Sequence, residues 1–266
     1  MAGAIVGVRA PHPDWLVPDW HAPGIGALMT TRQGGSSVAP FDSLNLRLGV
    51  GDDPQAVARN QGLLADAIGA RPVWLNQVHG ASVVRLGAAD AMPRAPVHEA
   101  DASFTTEPGV VCAVQVADCL PVLFAAPDGR AVGAAHAGWR GLALGVLEAT
   151  LGAVCDAANC EPADVQVWLG ACIGPSAFEV GPDVLAAFGT PTGSGASPRF
   201  VPRGAGKWLA DLPGLARDRL GAAGARAVSG GAWCTVSEPS RFYSFRRDAV
   251  TGRLAAAVWI EAGHRG

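Results

Sequence analysis

The rhythm of apolar and polar positions changes several times along the chain, and each change marks an element. Residues 25–31 (IGALMTT) read as a strand, followed by the glycine-rich turn R-Q-G-G-S-S. In G-D-D-P-Q-A-V-A-R-N-Q-G-L-L-A-D-A-I-G an aspartate precedes a proline, and Val57, Leu64 and Ile68 recur at near-helical spacing. This predicts a capped helix with proline in its first turn, ending at Gly69. A new strand begins with P-V-W-L-N-Q-V at residues 72–78.

The middle third carries continuous apolar runs: V-V-C-A-V-Q-V, P-V-L-F-A-A and R-A-V-G-A-A-H, the last two joined by the turn P-D-G. Runs without alternation predict strands buried on both faces. Residues 141 to about 157 read as a buried helix, and D-V-Q-V-W-L-G-A returns as a strand. Further helices are predicted over Gly181–Gly189 and Trp208–Gly221, with the flexible stretch G-T-P-T-G-S-G-A-S-P between them. R-L-A-A-A-V-W-I forms the final strand. With no composition break and no repeat of fixed period, residues 1–266 are expected to form a single domain.

Composition narrows the function classes. Hydrophobic residues are 49% and charged residues 16%, so apolar burial and backbone pairing carry the fold more than ion pairs do. A net charge of -3 with no basic stripe argues against a nucleic-acid partner. Asp118, Arg140 and Glu148 interrupt the long apolar runs, which argues against a membrane span. The first residues have neither a basic nor a long apolar region, so a cytoplasmic location is expected, with the six cysteines as thiols or metal ligands. Lys207 is the sole lysine, so an arginine in this chain is weak evidence of function taken singly.

Three segments end an apolar strand in a ligand-type residue: W-L-N-Q-V-H-G at His79, Q-V-A-D-C-L-P at Cys119 and G-A-A-H-A-G-W at His136. Two imidazoles and a thiolate are the donors of an open zinc site, leaving a fourth position free. Each residue also has a plain structural reading, as a hydrogen-bonded core histidine or a buried thiol. Cys112, Cys155 and Cys160 are read as such core thiols.

The segments N-Q-V-H-G, A-D-C-L-P and A-H-A-G-W-R-G, in this order, resemble the signature of the laccase-domain family, also called the YfiH or peptidoglycan-editing-factor family. The resemblance extends to T-T-R-Q-G-G-S-S, P-F-D-S-L-N-L, E-A-D-A-S-F-T-T, G-A-C-I-G-P-S-A-F-E-V-G and S-F-R-R-D-A-V-T-G-R-L-A. Arg47 departs from the pattern, standing where a small residue is expected. The resemblance implies an α+β fold, a layered α/β/β/α-type domain with mixed sheets flanked by helices. It implies His79, Cys119 and His136 as ligands of zinc, with copper as the other metal, and a monomer or homodimer. It implies purine nucleoside phosphorylase chemistry on adenosine, inosine and methylthioadenosine, with adenosine deamination. A four-copper oxidase is disfavoured, since it needs on the order of ten histidines and the chain has six.

Phosphorolysis needs an anion site, for which the guanidinium fork is suited. Arg32, Arg47, Arg140 and the pair Arg246–Arg247 are the candidates, with Arg140 assigned to catalysis and Arg32, Arg246, Asn45 and Cys172 to substrate binding. Asp118 is a candidate proton carrier beside Cys119, provided the strand has ended there, or else the carboxylate that orients a ligand histidine. Two other classes stay open. One is a cysteine-type hydrolase editing peptidoglycan precursors through Cys119 or Cys172; the other is a non-enzymatic scaffold with a structural zinc.

Overall fold

A computed structural model describes residues 12–191 and 197–264. The first half of the chain forms β1 (Ile25–Met29), α1 (Pro54–Ile68), β2 (Pro72–Val73), β3 (Val83–Arg85), β4 (Ala102–Thr105), β5 (Val111–Val116) and β6 (Leu120–Ala125). Then come β7 (Val132–Ala137), α2 (Trp139–Ala143), α3 (Val146–Ala158), β8 (Gln166–Leu169), β9 (Glu179–Val180) and α4 (Pro182–Ala187). The chain ends with β10 (Phe200–Gly204), β11 (Lys207–Ala210), α5 (Leu212–Ala222), β12 (Ala227–Gly230), α6 (Phe245–Asp248) and β13 (Leu254–Ile260).

The strands build a four-stranded sheet in the order β1-β13-β5-β2, a six-stranded sheet in the order β12-β8-β6-β7-β4-β3, and a small sheet β10-β11-β9. The two larger sheets face each other, and the two-residue period of a strand sorts side chains between the layers. On β5, Cys112, Val114 and Val116 enter the core between the sheets, where they meet Leu123, Val132, Ala134 and Trp168. Val111 and Ala113 point the other way, into a layer with Leu44, Leu46 and the Leu64 and Ile68 face of α1. The outer face of the six-stranded sheet, with Val122, Phe124 and Ala135, packs on Leu147, Leu151 and Val154 of α3 and Leu215 and Leu220 of α5. The layer order is therefore helix, sheet, sheet, helix. Each fully buried Val, Leu or Phe contributes roughly 1.5–3 kcal/mol, and every residue of β5, β6 and β7 is buried, as their unbroken apolar runs predict.

Helix α1 has the predicted ends: Asp53 caps it by accepting from the Gln55 N–H at 3.0 Å, and the helix stops at Gly69. Three expectations are corrected. The helix expected from residue 141 begins at Trp139 and is broken at Gly145, whose φ of 93° reverses the chain into α3. Trp208 belongs to a strand, paired with Val180 and Pro202. The helix that follows starts at Leu212, where Asp211 caps it by accepting from the Gly214 N–H. The strand expected over residues 72–78 pairs only at Pro72 and Val73. Beyond it, the Gln77 side chain donates to the Gln115 carbonyl and accepts from the Gln115 N–H, both at 2.9 Å, so a side chain continues the ladder on β5. Residues 192–196 of the expected flexible stretch lie outside the described residues. Among the described residues no helix is long and apolar enough to cross a membrane.

Candidate active site

Strand β5 belongs to one large sheet and β6 to the other, so the turn Ala117–Cys119 crosses the sandwich at its edge. Asp118 makes that crossing with a φ of 93°. On β7, Val132 and Ala134 face the inter-sheet core, and His136 is the next residue on that face. His79 reaches the same edge from the loop that Gln77 fastens to β5. The donor atoms of His79, Cys119 and His136 all lie within 4.8 Å of one another, and Cys119 Sγ is 3.8 Å from His79 Nε2.

One buried carboxylate holds two of these residues. Asp101, directly before β4, accepts from the backbone N–H groups of Val78, His79 and Gly80 at 3.1, 2.9 and 2.6 Å. His79 adopts a left-handed φ of 63°, and three successive N–H groups converge on one anion. Asp101 also lies 2.7 Å from His136 Nδ1, with both side chains buried. A carboxylate acceptor at Nδ1 keeps the proton there and leaves Nε2 free as a donor to a metal.

The electrostatics favour the thiolate, the form of Cys119 that binds a metal, beside a protonated His136, which gives up that proton when a metal takes its place. Burial opposes charge on the Cys119 thiol, yet the imidazoles of His136 and His79 outweigh it and bring the thiol down to about 6. Burial likewise opposes charge on His136, which the Cys119 sulfur and then Asp101 hold up at about 9. Gly138 leaves the space beside the donors open. A Cβ there would stand 3.0 Å from both Cys119 Sγ and His79 Cδ2. Two imidazoles and a thiolate in this arrangement can hold one metal ion. It is the one such group among the described residues, which does not suit a multicopper cluster.

The cluster lies in a cleft of about 510 Å³. Gln77, Gln115, Arg47, Arg253, Phe178, Phe245, Trp139 and Arg246 line it, with Arg253 over the Phe245 ring at 5.7 Å. Arg140 lines the cleft and lies over the Trp139 ring at 4.5 Å, while Trp139 packs against the core, as an anchor should. Arg246 lies over Phe178 and donates to the Glu179 carbonyl at 3.0 Å. Arg47, Arg140, Arg246 and Arg253 have no carboxylate within ion-pair distance among the described residues, whereas eight other ion pairs in the molecule use arginine. Burial, and then repulsion from Arg47, lower the pKa of Arg253.

The remaining candidates are distributed differently. Asp118 lines the cleft, as the end of β5 allows, but its oxygens accept from the Thr235 hydroxyl and the Arg246 N–H, both at 2.6 Å. The carboxylate that orients a histidine of the cluster is Asp101, not Asp118. Asn45 is buried behind the cleft, where its Oδ1 accepts from the N–H groups of Arg47 and Arg253 at 3.1 and 2.9 Å. Arg32 lies outside the cleft, held by the Asp42 and Pro239 carbonyls and stacked on Tyr243. Arg247 is tied to Asp248 and to loop carbonyls. Cys172 is fully buried and points its thiol at the Ile173 carbonyl, and burial pushes its pKa well up, so it offers the cleft neither the substrate contact nor the nucleophile expected of it.

Sequence reasoning passed over Asp101, Arg253, Gln115 and Phe245. Asp101 left one trace, an acidic residue in an otherwise small and apolar segment, A-D-A-S-F. The other three carry no local signal, because their roles come from which strand ends meet at the cleft.

A family described as multi-copper polyphenol oxidoreductase laccase matches residues 26–261. A purine nucleoside phosphorylase of Pseudomonas aeruginosa is 51% identical over 249 residues, covering 93% of this chain and 98% of that one. The Escherichia coli purine nucleoside phosphorylase YfiH is 47% identical, covering 92% and 98%. Among solved structures, a Neisseria meningitidis protein superposes with a TM-score of 0.86 at 46% identity, covering 94% of this chain and all of that one. YlmD from Geobacillus stearothermophilus superposes with a TM-score of 0.86 at 32% identity, covering 96% and 99%.

Proposed function

Since the chain belongs to the laccase-domain family, in which relatives about half identical to it are named purine nucleoside phosphorylases, we propose that it is a zinc-dependent enzyme that splits purine nucleosides with phosphate. The observation that carries this reading is the set of four arginines, none in an ion pair among the described residues, beside the His79–Cys119–His136 cluster. They outnumber the Asp118 carboxylate of the cleft, and that excess of positive charge favours an anion of more than one charge.

In phosphorolysis a phosphate oxygen forms a bond to ribose C1′ while the bond from C1′ to the purine nitrogen breaks. The bonding pair leaves with the base, which takes up the proton that hydrogen phosphate gives up on forming the ester. Arg47 and Arg253 hold the phosphate as a charge-assisted clamp, and Asn45 fixes the backbone of both. Phe178 and Phe245 line the part of the cleft that receives the purine and keep water from competing with phosphate, while Trp139 anchors the cleft to the core. Arg140 and Arg246 complete the anion site. Asp118 anchors Arg246 and Thr235 beside it; with both oxygens accepting, it acts as a positioning residue and not as the proton donor. His79, Cys119 and His136 would hold the zinc, which would supply Lewis-acid polarisation of a substrate oxygen; copper is the other ion this donor set suits.

The test is incubation of adenosine, inosine or methylthioadenosine with and without phosphate, with separation of products and metal analysis of the protein. Free base formed only with phosphate, and about one zinc per chain, is the expected result. Inosine from adenosine would add deamination, and no product in either condition would overturn the proposal. The 3.8 Å contact between His79 and Cys119 favours one second reading, a cysteine nucleophile with a histidine base. Metal-free protein whose Cys119 alkylates rapidly would decide for it.

A further inference from the structure

Gln115 presents a hydrogen-bond acceptor to the cleft that none of the described residues uses. Only 7% of the residue is exposed, and its Nε2 donates to the Leu46 carbonyl at 2.7 Å. Because only the NH2 end of an amide can donate to a carbonyl, this bond fixes the orientation of the group. Oε1 therefore points away from Leu46. It has no partner among the described residues, yet it is not one of their enclosed unpartnered atoms. What exposure Gln115 has is into the cleft that it lines.

Strand register sets what lies beside it. Gln115 pairs with Ala255, so Arg253, two residues earlier along the same side, is its diagonal neighbour. The Arg253 carbonyl accepts from the Leu46 N–H at 3.2 Å, and Arg47 follows Leu46. The free Oε1 thus adjoins the Arg47–Arg253 pair. A neutral acceptor at that point takes a hydrogen bond without repelling a bound anion, as a carboxylate would. A phosphate there attacks C1′, and the substrate hydroxyl closest to that carbon is the one on C2′.

We propose that Gln115 Oε1 accepts a hydrogen bond from the ribose 2′-hydroxyl and so makes the enzyme selective for ribonucleosides over 2′-deoxyribonucleosides. The inference rests on the phosphorolysis reading, and the experiment separates the two. It measures kcat/KM for adenosine and 2′-deoxyadenosine, at saturating phosphate, with the wild-type protein and with Gln115→Met, which keeps the length of the side chain but not the acceptor. The wild type is expected to prefer adenosine by about tenfold or more, since a site built to bond a hydroxyl discriminates against an analogue lacking it. Gln115→Met is expected to narrow the ratio toward one by slowing adenosine more than 2′-deoxyadenosine. Equal wild-type rates on the two nucleosides overturn the inference without needing a variant. So does a raised phosphate KM in the variant with an unchanged ratio, which would assign Oε1 to the phosphate hydroxyl. Failure of the wild type to release base from either nucleoside overturns the phosphorolysis reading itself.

Discussion

The Asp101 carboxylate and the His136 imidazole lie 2.7 Å apart, both shut away from solvent, and the same carboxylate holds three backbone N–H groups of the His79 loop. One residue, directly before β4, thus sets the ring orientation of one histidine of the cluster and the backbone of the other. Asp101→Asn keeps the shape but loses the charge. We expect metal affinity to fall by about 10–100-fold, the usual effect of removing a ligand's partner, while circular dichroism stays native. Competition with a chromogenic chelator measures it.

The two histidines should respond differently to truncation. His79 is exposed, so His79→Ala should abolish stoichiometric metal binding while changing stability by less than about 0.5 kcal/mol in the metal-free protein. His136→Ala leaves Asp101 buried without its partner and should cost about 3–5 kcal/mol. Denaturant melts of the chelator-treated proteins distinguish them. Global unfolding of His79→Ala would instead support a structural metal.

Gly138 has a φ of -66°, which any residue can adopt, so Gly138→Ala tests space alone. A methyl group 3.0 Å from Cys119 Sγ and from His79 Cδ2 must push the donors apart. Loss of bound metal with a native far-ultraviolet spectrum is the expected outcome, read by metal analysis of purified protein.

Arg253→Met removes one arm of the proposed clamp and relieves the repulsion with Arg47. The expected effect is a rise of about 10–100-fold in the phosphate KM, the range for losing one hydrogen bond to a charged group, with a smaller change for the nucleoside. Initial rates across a phosphate series give this directly. An unchanged phosphate KM would move the anion to Arg140 and Arg246.

Arg199 forks onto Asp218 at 2.8 and 2.7 Å, and that hydrogen-bonded pair lowers the Asp218 pKa below the ordinary carboxylate value, against a smaller opposing effect of burial. A depressed folded pKa gives stability that is present above about pH 4, the unfolded value, and is lost as pH falls through the folded one. Asp218 is half exposed, so solvent screening limits the effect of Asp218→Asn to about 0.5–1 kcal/mol at pH 7. Melts of wild type and variant should converge in acid.

The parts of the molecule legible in the sequence are those written in local periodicity. Helix α1, with Asp53 and Gly69 at its ends, and the fully buried strands β5, β6 and β7 follow from apolar spacing and capping chemistry alone. The Trp208 strand was not legible, because its partners Val180 and Pro202 come from separate segments and pairing, not propensity, makes it a strand. Cys172 misled for a related reason. A thiol before a Gly-Pro turn reads as exposed, but the chain carrying Cys234 runs alongside and closes over it.

The three metal-type residues His79, Cys119 and His136 stood out in the chain itself, since each ends an apolar run and each kind of side chain has its own coordination chemistry. Their supporting residues did not. Asp101 becomes the shared anchor only when β4 pairs with β7, and Arg253 and Gln115 become neighbours only through the register of β13 on β5. Chemistry belongs to a side chain and can be read one residue at a time. Proximity belongs to pairs of residues far apart along the chain, and it exists only once the sheets have formed.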